Sequence, residues 1–231
     1  MERKTKQNYT PWQAPKGMEK YLKSTDKIDL DSEIVIKTTK EAIGGSRTPK
    51  EAAMRIFYFV RDEIKFALTS QLEKASTVIK RRTGYCVSKT TAMVAMLRAA
   101  NIPARYHFAS IKKEAMKGLM GGIGYRFMPE IIPGHSWVEV YLDGKWIEVE
   151  LTFDKELHQT MKEKRINIYE KEDVELKIDW DGEHDLLPLP EFLVEDLGVY
   201  ESPEAVIKRV ALWPLYQYLQ NRNLKKIRKE S

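Results

Sequence analysis

The chain has 231 residues and a mass of 26.9 kDa, of which 42% are hydrophobic and 32% charged. This length can bury a full hydrophobic core, and we expect a single domain over residues 1–231, with its core at about residues 48–155 and an extension at each end. No apolar run approaches the roughly 18 residues of a membrane span, and no apolar segment of a signal peptide follows the basic start. We therefore expect a cytoplasmic protein without membrane contacts.

The net charge is +5, from 39 Lys and Arg residues against 34 Asp and Glu residues. This excess is mild, and the sequence has neither a basic stripe with interleaved aromatic residues nor a known reader motif for nucleic acids. We therefore expect no nucleic-acid partner. The basic C-terminus, residues 225–231, leaves one alternative: a nucleic-acid-associated protein whose binding falls steeply with salt.

Cys86 is the single cysteine of the chain. One thiol rules out an internal disulfide and a zinc site of several thiolates, so Cys86 is inert, redox-active or catalytic. The acidic residues Asp179 to Asp185 lack the spacing of a calcium-binding loop. We expect neither a metal nor an organic cofactor. His107, His158 and His184 are interpreted as surface or structural residues.

Two helices are predicted in the first half of the chain. Thr48 is placed as an N-cap, Pro49 as the first helical residue and Glu51 as the partner that completes a capping box, and an apolar face continues to Ile64. The second helix is expected from about Cys86 to Ala100, shortly after Gly84. Its N-terminal position would stabilise a thiolate, because unpaired N–H groups and the helix dipole point at Cys86.

A strand is predicted from Arg105 to Ile111, followed by a long irregular connection from Lys112 to Pro133 that is rich in glycine. Loops of that length in a compact domain usually cover a site. We therefore expect a mobile flap here and a pocket lined by the flap, Tyr85 and Trp137. A last helix is expected after Ser202, with a kink or break at Pro214.

Two alternating segments, HSWVEVYL and KWIEVELT, are joined by Asp143-Gly144, which is the strongest short signal for a hairpin. A two-residue loop would pair Leu142 with Lys145, Trp137 with Glu150, and His135 with Thr152. One face would then bury apolar side chains only: Val138, Val140, Leu142, Ile147, Val149 and Leu151. The other face carries His135 and is expected to be covered at that end.

The same register places Glu150 diagonally across from His135, with Cα atoms roughly 7–8 Å apart, so that the carboxylate can reach the imidazole. Asp154 would be the other diagonal neighbour if pairing continued past Thr152. A cysteine at a helix N-terminus, a histidine on a strand and an acid on the adjoining strand is the arrangement of a cysteine nucleophile. We take Cys86, His135 and Glu150 as the candidate catalytic residues and keep Asp154 as the alternative acid.

The stretch from Glu51 to Asp154 resembles the transglutaminase-like superfamily, in particular its microbial cysteine proteases and amidases, which are related in core fold to papain. Three segments carry the resemblance and occur in the order of the family: IFYFVRDEIKF, ASTVIKRRTGYCVSKTTAMVAMLRAANIPARY and GHSWVEVYLDGKWIEVELTFD. The resemblance implies an α+β, papain-like core in which the nucleophile helix packs on an antiparallel sheet. It also implies Cys86 as nucleophile and His135 as general base and acid. One position departs from the family, because Glu150-Leu151-Thr152 stands where Asp-Pro-Thr is usual.

These residues predict a thiol-dependent hydrolase or acyltransferase that acts on amide bonds of peptides or related amides through a thioester. No cofactor is needed for either reaction. The alternative is a catalytically silent transglutaminase-like module that binds a peptide or protein partner in the same cleft. The sequence sets no oligomeric state.

Overall fold

The structure, a computed structural model, describes residues 10–170, 175–187, 190–208 and 210–229. Its α-helices are α1 (Glu33–Ile43), α2 (Pro49–Glu63), α3 (Ala75–Arg81), α4 (Cys86–Ala99), α5 (Gly122–Arg126), α6 (Lys155–Glu163) and α7 (Trp213–Lys229). Its β-strands are β1 (Lys65–Phe66), β2 (Thr83–Gly84), β3 (Ala104–Lys112), β4 (Ile131–Leu142), β5 (Lys145–Val149) and β6 (Leu193–Tyr200). Among the described residues, no helix is long and apolar enough to cross a membrane.

Helix α4 lies at the centre of the fold. It packs on β3 and β4 on one side and on α1, α2 and α3 on the others, and every residue from Val87 to Ala99 is buried. The sheet is antiparallel with strand order β5-β4-β3-β6. The predicted α+β fold, with the cysteine-bearing helix on an antiparallel sheet, is therefore confirmed.

The N-cap Thr48 and the first helical residue Pro49 of α2 are as predicted. Thr48 Oγ1 accepts a hydrogen bond from Glu51 N at 3.1 Å, and Glu51 Oε2 accepts one from Arg47 N at 2.7 Å. The first bond satisfies an N–H group that the helix start leaves without a partner. The second differs from the predicted capping box, because Glu51 accepts from Arg47, one residue before the N-cap, and not from Thr48. The helix then carries Ile56, Phe57 and Val60 into the core, all fully buried.

The hairpin of β4 and β5 has the predicted register, from Leu142 opposite Lys145 to Val138 opposite Val149. Its turn residues Asp143 and Gly144 both have positive φ, 49° and 86°, as a type I′ turn requires. All six apolar residues predicted for its inner face are buried.

Past Val149 the prediction was wrong. Within the described residues 131–152, the ladder ends at the pair Val138–Val149, so the expected pairs of Glu150 with Trp137 and of Thr152 with His135 do not form. The chain turns instead to Leu186, which donates from N to Glu148 O and accepts at O from Glu150 N, both at 2.8 Å. A distant segment therefore takes the hydrogen bonds that the hairpin would have used.

Two other regions differ from the sequence prediction. The connection 112–133 contains a 3-10 turn (Lys113–Met116) and α5, because Leu119 and Met120 bury their side chains in the core. The last helix begins at Trp213 rather than after Ser202, where only a 3-10 turn forms. Pro214 therefore occupies the first turn of α7, where its missing N–H is no loss, and it does not kink the helix.

Candidate active site

Cys86 is the first residue of α4 and is half-buried. The helix start is fixed by Ser88, whose Oγ accepts a hydrogen bond from Tyr85 N at 2.8 Å. Gly84 allows the close turn into the helix, because a Cβ there would lie 2.6 Å from Ser88 Oγ. The sulfur thus lies at the N-terminus of a helix that is buried from Val87 to Ala99, where the N–H groups of the first turn have no partner within the helix.

His135, on β4, and Glu150, the residue after β5, lie against each other. The Nε2 atom of His135 is 3.2 Å from Oε1 of Glu150, and their side chains are only 9% and 10% exposed. The sequence analysis predicted this contact from a hairpin register that continued past Val149. The two side chains are in contact although the ladder stops at Val149. The hairpin turn and the bend towards Leu186 together set this geometry.

The electrostatics of this pair favour an imidazolium beside a carboxylate. Burial lowers the pKa of His135, but the charge of Glu150 and hydrogen bonds with Cys86 and Glu150 outweigh burial and raise that pKa to about 10. Burial raises the pKa of Glu150, but the charge and hydrogen bond of His135 outweigh it, so that the pKa lies below its ordinary value. At neutral pH His135 therefore carries a proton that it can donate, and Glu150 is ionised.

Asp154, the alternative acid, is engaged elsewhere. Its buried carboxylate accepts hydrogen bonds from Arg228 at 2.6 and 3.0 Å, from Phe66 N at 2.8 Å and from Leu157 N at 3.1 Å. Burial raises the pKa of Asp154, but Arg228 outweighs burial and lowers it. Asp154 thus caps α6 and ties the C-terminal helix α7 to the core.

Cys86, His135 and Glu150 all line one cavity of about 620 Å³. The predicted lining by Tyr85, Trp137 and the 117–133 segment is present, the last through Met120, Met128 and neighbouring residues. The sequence did not predict a further wall, which is formed by Val206, Ile207, Lys208, Val210, Leu212, Trp213 and Tyr216. The sequence predicted only a helix in that region, and the contacts that bring it to the cavity are with distant residues, Gln71 and Thr69.

The other histidines lie outside this cavity's lining. His158 is buried 3.4 Å from Tyr169 Oη, and burial lowers its pKa to about 4, whereas His184 is exposed and contacts Asp181. His107 lies between Glu139 at 2.7 Å and Asp196 at 2.8 Å. These contacts fit the structural roles that we expected for the three residues.

One group of side chains among the described residues has the spacing of metal ligands. Ligand atoms of His107, Glu139 and Glu148 lie within 4.8 Å of one another, a cluster that the sequence did not indicate because the residues come from three strands. Arg105 Nε already donates to Glu139 at 2.6 Å, and Trp137 Nε1 to Glu148 at 2.7 Å. Both carboxylates therefore have partners without a metal.

Comparison with known proteins gives the family. Residues 36–151, half of the chain, match the model of the transglutaminase-like superfamily. The chain belongs to this superfamily, as its motifs indicated. A search of the curated proteins found no match.

Three solved structures are similar to the chain. A putative cysteine protease from Cytophaga hutchinsonii shares 16% identity with a TM-score of 0.49, over 81% of this chain and 48% of its own. A putative protease from Parabacteroides distasonis shares 15% identity with a TM-score of 0.37, over 57% of this chain and 24% of its own. The red sea bream transglutaminase shares 12% identity with a TM-score of 0.36, over 87% of this chain and 31% of its own. The chain thus spans about half the length of the first structure and less of the others.

Proposed function

We propose that the protein is a thiol-dependent hydrolase or acyltransferase that acts on amide bonds of peptides or related amides. The observation that carries this proposal is the contact of His135 with Glu150 in a cavity whose wall includes Cys86 at the start of α4. The names of the similar structures, proteases and a transglutaminase, agree with amide substrates.

The proposed reaction starts from an ion pair, in which His135 already holds the proton of the Cys86 thiol on Nδ1, the ring nitrogen that Glu150 leaves free. The thiolate attacks the amide carbonyl carbon, and the Cys86 backbone N–H, at the open end of α4, donates to the oxyanion. His135 then returns the proton to the leaving amine as the C–N bond breaks. A thioester remains on Cys86.

Water or a second amine resolves the thioester. His135 takes a proton from the attacking nucleophile as it adds to the carbonyl carbon, the C–S bond breaks, and the thiolate of Cys86 departs beside the imidazolium, which restores the starting ion pair. Glu150 orients the imidazole and stabilises its charged form throughout, as the acid of a triad does. Glutamate in this role would replace the family's usual aspartate.

The test is release of p-nitroaniline from a panel of peptide and simple acyl anilides, together with mass spectrometry of the acyl-enzyme. We expect turnover by the unmodified protein, none by Cys86→Ala, and a loss of at least a hundredfold in kcat for Glu150→Gln. Glu148→Gln is the matched control, because Glu148 lies on the same hairpin but contacts Trp137. Equal effects of the two glutamine variants would contradict the assigned role of Glu150.

The second candidate is a module that binds a peptide or protein in the same cavity without turnover. The glutamate in place of the usual aspartate favours it. This second function is the correct one if the unmodified protein binds a peptide of the panel saturably but forms no thioester with any member of the panel.

A further inference from the structure

The walls of the cavity around Cys86 are almost entirely apolar. Three methionines line it together with aliphatic and aromatic residues from β3, β4, β6 and the C-terminal region: Met116, Met120, Met128, Ile111, Ile132, Phe192, Leu193, Leu197, Val206 and Ile207. Such walls gain free energy by removing hydrocarbon from water, at roughly 0.8 kcal/mol for each methylene. The cavity is therefore built for a neutral, apolar group.

Most polar side chains of the walls away from Cys86 are already bonded within the protein. Trp213 Nε1 donates to Thr69 O at 2.6 Å, Tyr216 Oη to Phe127 O at 2.9 Å, and Tyr85 Oη to Gln71 O at 2.6 Å. These internal bonds fix the aromatic rings and leave the ring faces to a ligand.

The same holds for the amide of Gln71. Its Nε2 donates to Lys208 O at 3.0 Å and its Oε1 accepts from Val210 N at 2.8 Å. Lys208 itself is exposed. Within the described lining residues, the other groups that remain for polar contact with a ligand lie at Cys86, His135 and Glu150, and at Thr152 beside them, whose buried Oγ1 has no hydrogen-bond partner.

This distribution distinguishes two kinds of acyl group. A peptide chain threaded through the cavity would bring N–H and C=O groups against walls whose side-chain donors and acceptors are mostly engaged, and each unpaired group costs about 1–3 kcal/mol. A hydrocarbon chain has no such groups. It satisfies the apolar walls and leaves only its carbonyl at Cys86.

The volume agrees with a long chain. A methylene occupies about as much space as a water molecule, so a chain of sixteen carbons takes roughly 480 Å³, which fits in the 620 Å³ of the cavity. We infer that the acyl group transferred by the proposed reaction is a long-chain fatty acyl group, bound in this cavity as the acyl half of an N-acyl amide. The identity of the reaction rests on the proposed function, whereas the acyl preference rests on the cavity.

The test measures binding by calorimetry with Cys86→Ala, which cannot react, and a series of N-acylglycinamides with acyl chains of four, six, eight and ten carbons. We expect one ligand per chain and a fall in Kd of about fourfold for each added methylene, the factor that 0.8 kcal/mol gives. A capped Leu-Phe-Leu tripeptide amide is the competing probe. Tighter binding of the tripeptide than of the ten-carbon ligand, or Kd values independent of chain length, would overturn the inference.

A pair of variants ties the binding to the cavity. Met128→Trp, in the Cys86→Ala background, fills part of the lumen and should remove most of the gain from six to ten carbons. Ile123→Trp is the matched control, since Ile123 is 71% exposed and lies on the same connection; it should leave the series unchanged. Equal effects of both variants would refute binding in this cavity. Because no step depends on turnover, an inactive wild type would contradict the proposed function and leave this result standing.

Discussion

Replacing Asp154 by asparagine separates a structural acid from a catalytic one. The carboxylate of Asp154 is fully buried and is held by both terminal nitrogens of Arg228. Asparagine keeps the shape and can still accept from Phe66 N or Leu157 N, but it removes the buried charge that pairs with the guanidinium of Arg228. Breaking a buried ion pair costs about 3–5 kcal/mol, and we expect about 3 kcal/mol here because part of the hydrogen bonding survives.

For a chain of this size that loss lowers the melting temperature by roughly 6–12 °C. The assay is thermal or urea unfolding. Glu156→Gln is the control, since Glu156 also contacts Arg228, at 3.6 Å, but its side chain is 56% exposed. The control should change stability by less than about 0.5 kcal/mol. At 20 °C, Asp154→Asn should still label at Cys86 like the unmodified protein. If Asp154→Asn left the stability unchanged but slowed labelling of Cys86, Asp154 would be the acid of the active site and not a structural residue.

The remaining predictions concern buried contacts. The pKa of His158 falls from an ordinary 6.5 to about 4 on folding, so protonation favours the unfolded chain. The contribution of neutral His158 to the free energy of unfolding is therefore constant above pH 6.5 and is lost as the pH falls from 6.5 to 4. Between pH 7 and pH 5 urea unfolding should show a loss of about 2 kcal/mol from this residue that His158→Gln lacks; equal losses in both proteins would contradict the assignment. Gln71→Ala breaks two bonds to residues 208 and 210, worth about 2 kcal/mol together, so labelling of Cys86 by a bulky maleimide should accelerate by about thirtyfold if local opening limits it. Gln159→Ala, which removes an exposed amide bonded to Glu163, should leave the rate unchanged, and a similar acceleration in both would show that Gln71 does not close the cavity.

The parts of the site that the sequence predicted depend on local patterns. Thr48-Pro49 and Gly84 mark helix starts, and Asp143-Gly144 fixes the register that brings His135 and Glu150 to the same face. Each of these signals acts over a few residues. Local physics therefore sufficed to place Cys86 at a helix N-terminus and an acid within reach of His135.

The parts that the sequence did not predict depend on contacts between distant segments. The ladder stops at Val149 because Leu186 takes the next hydrogen bonds, and Asp154 is removed from the choice of acids by Arg228, which lies 74 residues away. The C-terminal wall of the cavity is attached through Gln71 to residues 208 and 210. Neither periodicity nor capping signals encode such pairings, so the acid stayed ambiguous and the wall was missed.

Reaction of Cys86 with iodoacetamide between pH 5 and pH 9, in the unmodified protein and in His135→Ala, tests the central claim most directly, because the chain has a single thiol to label. The raised pKa of His135 keeps the imidazolium beside the sulfur across this range. We expect rapid labelling of Cys86 already at pH 6, and a labelling rate at least tenfold lower in His135→Ala. Slow labelling at pH 6 that increases only in alkali, with the same profile in both proteins, would contradict a thiolate–imidazolium pair.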